Sequence, residues 1–342
     1  MLFIILHHFI VFGLRSAGYW AEDAITNSGI IFNSFFVIAA NCFVLISGYF
    51  GIKAKWKGAI RLYVMCVFYA VLFATYSYFF IDGFTIKKLF LSFFPFSYSS
   101  LWFIKTYFYL FLLSPILNKI IENCNKKELI VVLLLLGILT FYFGFLWRNS
   151  INMNGYNVMN FIFLYFIGRF IALHTSNVTS MKRRTICIGV YLLCTVVILV
   201  VIEMIVHLDM NRKWIWRCGY YYNNPLVICS AIAFFCFFRT LSFKIKAINW
   251  SATSVLAVYL IHENQCIRSN LYPYINELGQ SIDNVGALWL YLLLIAVVIL
   301  VGCILIDKVR ILITNPIEKA LNRIGLDNYT DKIINKLDNL MK

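Results

Sequence analysis

The amino-acid sequence predicts an all-α, polytopic transmembrane helical bundle of about ten helices with both termini cytoplasmic. Three observations carry that expectation. Hydrophobic residues make up 62% of the 342 and charged residues only 13%, too little polar surface for a water-soluble globule. The apolar residues gather into successive stretches, most of them near the ~20 residues a helix needs to cross ~30 Å of hydrocarbon. Basic residues crowd every second loop, which orients the bundle by the positive-inside rule.

The stretches fall at about 1–14, 30–50, 59–81, 100–121, 128–147, 157–173, 185–206, 223–240, 250–266 and 287–307. Continuous runs such as 129–136 (LIVVLLLL) do not alternate, so a β-barrel is excluded. Lys53, Lys55, Lys57 and Arg61 follow the second stretch, Lys126 and Lys127 the fourth, Arg183 and Arg184 the sixth, Lys244 and Lys246 the eighth. The intervening loops hold fewer cations, among them Arg15, Arg148, Arg212 and Arg268. The net charge of +15 is therefore a topology signal, with membrane lipids rather than nucleic acid as the partner.

Residues 1–310 form one membrane domain, and 311–342 a cytoplasmic tail in which Ile317, Ala320, Leu321 and Ile324 recur at amphipathic spacing. The aromatic loop at 82–99 is expected to re-enter the membrane or lie flat in the interface. The asparagine-rich loop at 148–156 reads as solvated. Of the ten cysteines, most lie in apolar stretches as small packing residues. Cys218 and Cys266 fall on the non-cytoplasmic side, where a disulfide between them suits the compartment.

Ionisable groups inside such stretches are functional candidates by default. His7 and His8 interrupt the first one; they stand about 100° apart on a helix, so only one points straight into the bundle. Either an imidazole there serves as general base, or it makes an interhelical hydrogen bond. Ser47 and Gly48 end the second stretch and allow either close helix packing or a ligand against the backbone. Lys57 and Arg61 beyond them suit phosphates as well as topology. Trp102, Lys105 and Tyr109 open the fourth stretch, where an interface anchor and a snorkelling lysine compete with substrate binding, and Pro115 is expected to kink or end that helix. His262 and Glu263 form a polar cluster late in the ninth; a carboxylate beside an imidazole tunes it or binds a hydroxyl. No zinc motif of the HExxH kind, phosphate-binding loop or nucleophile elbow is present, so no metal cofactor is expected.

Taken in order, Leu6-His7-His8-Phe9, Phe43-Val44-Leu45-Ile46-Ser47-Gly48-Tyr49, Leu101-Trp102-Phe103 with Tyr109 and Pro115, and Tyr259-Leu260-Ile261-His262 resemble the acyltransferase-3 family. These are polytopic bacterial membrane proteins that O-acylate cell-surface sugars. The resemblance implies transfer of an acyl group, usually acetyl from cytoplasmic acetyl-CoA, to a sugar hydroxyl of a surface polysaccharide or lipid-linked precursor at the bacterial inner membrane. It implies catalysis by His7, with His8 as the alternative. Ser47, Gly48, Lys57 and Arg61 would then serve the acyl-CoA donor, and Trp102, Lys105, Tyr109, His262 and Glu263 the glycan acceptor. The family motif also places a basic residue eleven positions before the histidine, ahead of Met1. With a first stretch spanning only about 21 Å, this leads to the expectation of a truncated first helix. Two other classes fit the same bundle: a glycan or lipid transporter or flippase, which would move substrate without consuming acyl-CoA, and a non-catalytic component of polysaccharide assembly.

Overall fold

The computed structural model describes residues 1–14, 24–53, 55–98, 101–176, 180–208, 210, 213–241 and 244–323. Arg15, Arg212 and the tail beyond Arg323 lie outside them. Every regular element among the described residues is helical, and each of the ten apolar stretches appears as helix.

Seven of these stretches are long and apolar enough to cross a membrane. They are α2 (Ala24–Phe36) with α3 (Ala39–Phe50), α4 (Trp56–Phe80), α7 (Trp102–Asn123), α8 (Lys126–Leu146), α10 (Met181–His207), α11 (Lys213–Tyr220) with α12 (Pro225–Arg239), and α16 (Val285–Arg323). Two are shorter, α1 (Leu2–Gly13) and α9 (Val158–His174). The stretch expected at 250–266 is not one span. It breaks into α13 (Lys246–Ala252) and α14 (Val255–His262), followed by α15 (Gln265–Ser281). Asn264 starts α15 by accepting from the Cys266 N–H with its side chain, an N-cap that ends α14 just after its histidine. Pro115 does not end its helix: α7 runs on through it to Asn123, as neighbouring helices allow for a lost backbone bond in a membrane bundle.

The segment at 82–98 folds back onto the bundle. It forms α5 (Ile86–Leu91) and α6 (Pro95–Tyr98), held against α4 by the Tyr63 hydroxyl donating to Phe93 O (3.0 Å) and against α7 by the stacked Phe96 and Phe108 rings. The 148–156 loop is not solvated throughout: Asn152 is fully buried and accepts, at its carbonyl, a bond from Asn223 Nδ2 (2.6 Å). Cys218 and Cys266 are free thiols.

Close packing fixes the register of the centre. Gly48 of α3 lies against the Tyr165 backbone of α9, and Gly168 of α9 against the Leu45 carbonyl of α3, with no room for a Cβ at either. The two helices thus meet backbone to backbone, as small residues permit in membrane bundles. α4 and α16 are pinned by charge. Tyr69 donates to Asp307 Oδ1 (2.9 Å), Arg310 Nε donates to the same oxygen (2.8 Å), and both charged residues are buried. Arg310 is thus an interior residue, neutralised by its neighbour one turn away.

Candidate active site

α1 ends in a wide π-type turn at Phe9–Gly13, immediately after the two histidines, and such turns recur at functional sites. Gly13 rests on Ile275 of α15, which holds this end of α1 beneath that helix. Both imidazoles are buried, and both line a narrow cavity with Trp102, Phe103, Tyr222 and Tyr259.

The two rings are held differently. The Asn33 amide of α2 donates through Nδ2 to Gly219 O (2.9 Å) and so turns its oxygen toward His7, whose Nδ1–H donates to it (2.5 Å). The remaining His7 nitrogen, Nε2, is therefore an acceptor, and the Tyr222 hydroxyl donates to it (3.3 Å). Asn41 of α3 donates to Tyr222 O (2.8 Å), and the Tyr222 ring stacks on Trp102 at 5.4 Å.

His8 is bound through Nδ1 to Glu263 Oε1 (2.9 Å) and to His262 Nε2 (3.1 Å). His262 donates its Nδ1–H to Val258 O (2.6 Å), so its Nε2 is a lone pair and the His8 Nδ1 carries the proton. Nε2 of His8 is then the basic atom of that ring. The carboxylate is itself fixed: Tyr272 donates to Oε1, and Arg268 pairs with Oε2 (3.4 Å) while its guanidinium lies over Phe12. Carboxylate, imidazole and cavity thus stand in the order that orients a general base and stabilises its protonated form. The donor atoms of His8, His262 and Glu263 lie within 4.8 Å of one another, a set that would also hold a metal ion if it replaced the His8 proton.

Of the residues picked from sequence, His7, His8, His262, Glu263 and Trp102 come together here. Ser47 lies one turn along α3 from the cavity-lining Phe43 and bonds Tyr107 (3.3 Å). Gly48 serves the α3–α9 contact. Lys57 is exposed at the basic face, and Arg61, also exposed, lies 3.8 Å from Glu318. Lys105 is half-buried outside the cavity lining, and Tyr109 is 46% exposed on the outside of α7. Two positions on a helix are ~200° apart, which separates the inward Tyr107 from the outward Tyr109. Asn33, Tyr222, Tyr272 and Arg268 were not singled out; Asn33 alone carried a signal, as an amide within an apolar stretch.

A family model described as an acyltransferase domain matches residues 1–308. No curated protein and no solved structure matches the chain.

Proposed function

Because the chain belongs to the acyltransferase-3 family and is thus a membrane acyltransferase, we propose that it moves an acetyl group from acetyl-CoA to a sugar hydroxyl of a surface polysaccharide or lipid-linked precursor, with His8 as general base. The observation that carries the role of His8 is its 2.9 Å contact with Glu263 at the wall of a cavity.

In this reading His8 Nε2 takes the proton of the acceptor hydroxyl as its oxygen attacks the thioester carbonyl. The new C–O bond forms, the C–S bond breaks, and the imidazolium returns the proton to the departing thiolate. Glu263 offsets the positive charge on the ring meanwhile. The Tyr222 hydroxyl, whose ring stacks on Trp102 and whose backbone carbonyl accepts from Asn41, turns its proton from His7 Nε2 to the oxyanion of the tetrahedral intermediate. In this reading the donor lies along the side of α3 where Ser47 bonds Tyr107 (3.3 Å), between the exposed Lys53, Lys55 and Lys57 and the cavity-lining Phe43. The ten steps of α3 from Ala40 to Phe50 rise about 15 Å, so an extended thioester arm lies along it while exposed cations such as Lys57 and Arg61 meet the donor phosphates. Burial keeps water from the acyl group.

The test is mass spectrometry of the surface glycan from cells carrying the natural chain or its His7→Ala, His8→Ala or Glu263→Gln forms. Acetyl esters are expected to vanish with His8→Ala and fall sharply with Glu263→Gln at equal protein levels. Full acetylation in the His8→Ala cells would remove His8 from the mechanism.

A further inference from the structure

Three buried groups meet around one point beside the cavity. His8 Nδ1 lies 2.9 Å from Glu263 Oε1 and 3.1 Å from His262 Nε2, and those two atoms lie 3.9 Å apart. The circle through three points at these separations has a radius of about 2.0 Å, which matches the bonds of Zn²⁺ to imidazole nitrogen and carboxylate oxygen. Without an ion, the one proton on His8 Nδ1 is shared between both acceptors. A cation at the centre of the triangle would take its place.

The groups behind the triangle are those that a metal site requires. His262 gives its other N–H to Val258 O (2.6 Å), which fixes the ring with its Nε2 lone pair turned inward, as ligating histidines are held. Glu263 Oε1 accepts from the Tyr272 hydroxyl and keeps a further lone pair, while Oε2 pairs with Arg268. Arg268 and the Phe12 ring under its guanidinium are both partly exposed. The ligands therefore lie one side chain below the surface, and an ion has a short way in. Two imidazoles with one carboxylate suit zinc or cobalt, whereas Mg²⁺ and Ca²⁺ favour sets of oxygens. By contrast, the exposed His207 and Glu203 pair (3.0 Å) offers two ligands, and the described residues bring no third to it.

We propose that His8, His262 and Glu263 form a site for Zn²⁺ whose occupancy switches acyl transfer off. The reason lies in the two edges of one ring. A neutral imidazole has one N–H and one lone pair. Without the ion the N–H is at His8 Nδ1 and the lone pair at Nε2, the base of the proposed transfer. When the ion binds, the N–H bond at Nδ1 breaks, that proton passes through water to Nε2, and the freed Nδ1 lone pair ligates the metal. No proton is gained or lost overall. The ring is then left with no lone pair for the acceptor hydroxyl, and Glu263 neutralises the ion instead of an imidazolium. Arg268 limits the affinity, because a divalent ion, one carboxylate and one guanidinium leave an uncompensated positive charge in a buried place. Zinc thus binds reversibly. The metal site stands on geometry alone, while the switch rests on the reading of His8 as base.

The full-length protein, carrying no polyhistidine tag, is dialysed in nanodiscs against buffered Zn²⁺, and bound metal is measured by inductively coupled plasma mass spectrometry. One ion per chain is expected, and excess Mg²⁺ or Ca²⁺ should not displace it. His262→Gln keeps a donor for Val258 O and should weaken zinc binding about a hundredfold. Arg268→Gln should tighten it about tenfold, and His207→Ala should leave it unchanged. Zinc K-edge absorption on the natural chain needs no variant and is expected to show nitrogen and oxygen ligands at about 2.0–2.1 Å without sulfur. In membrane vesicles that hold their own acceptor, the same zinc concentrations should stop incorporation of labelled acetyl from acetyl-CoA, and chelation should restore it. In His262→Gln vesicles, compared with their own zinc-free rate, that inhibition should need proportionately more zinc. Absence of stoichiometric zinc, ligation by sulfur, or natural affinity in His262→Gln would overturn the site. Full or increased turnover with the site loaded would overturn the switch and with it His8 as the base, while the metal site itself stood.

Discussion

His7 and His8 are neighbours in the chain, equally buried and on the same cavity, yet the bundle gives them opposite surroundings. His7 meets neutral partners, the Asn33 amide and the Tyr222 hydroxyl, which between them occupy both ring nitrogens. His8 meets a carboxylate held by Tyr272 and Arg268, and its Nε2 is left as the basic atom. One residue of offset, about 100° of helix rotation, turns one ring toward α2 and the other toward α14. Chemical role in this pair is thus set by who stands opposite rather than by residue type.

The sharpest way to break the comparison is to remove one ring at a time. His8→Ala is expected to lower kcat/KM for acyl transfer by about 10³-fold, within the range for loss of a positioned base; a His7→Ala protein with the larger defect would reverse the assignment. Glu263→Gln keeps the shape of the partner and removes its charge, and about a 10²-fold fall in kcat is expected with little change in KM. If the fall instead appears wholly in KM, Glu263 binds substrate and does not orient His8. His7→Gln retains a donor and an acceptor near Asn33 and Tyr222, and about a tenfold loss in kcat is expected. Tyr222→Phe should give a similar loss, and combined with His7→Gln it should cost no more than either alone, because the two act as one unit; additive losses would show them to be independent.

Smaller effects bear on both rings alike. Gly48→Ala drives a methyl into the Tyr165 backbone, so unfolding in detergent should lose about 1–3 kcal/mol while the ratio of His7 to His8 variant activities stays the same. Lys57→Gln is expected to raise KM for the acyl donor about twofold at low salt, an effect that disappears at high ionic strength. A salt-independent change would place Lys57 in a direct, desolvated contact.

The helices were legible because hydrocarbon imposes a length on any segment that crosses it. The two histidines were legible because a titratable ring in an apolar run is conspicuous. Helix phase was harder to read. α7 is apolar around much of its circumference, so nothing local said that Tyr107 faces Ser47 and Tyr109 faces outward. The break of the ninth stretch at Asn264 follows from a side-chain cap that is easily missed inside a run of hydrophobic neighbours.

What the sequence by itself determined is the class of the molecule, the approximate place of each spanning segment, the family, and the short list that holds His7, His8, His262, Glu263 and Trp102. Those properties depend on composition and on spacing within single segments. What only the tertiary structure decided is the division of labour at the site. The partners of His8 lie more than 250 positions away, and Asn33, Tyr222 and Tyr272 acquire meaning only where helices distant in sequence converge. Asn152 shows the same limit from the other side: in a loop that reads as solvated, this residue is buried and its carbonyl accepts from Asn223, distant in the chain. Local sequence fixes where a residue sits along a helix, but which atoms face it depends on the packing of the others.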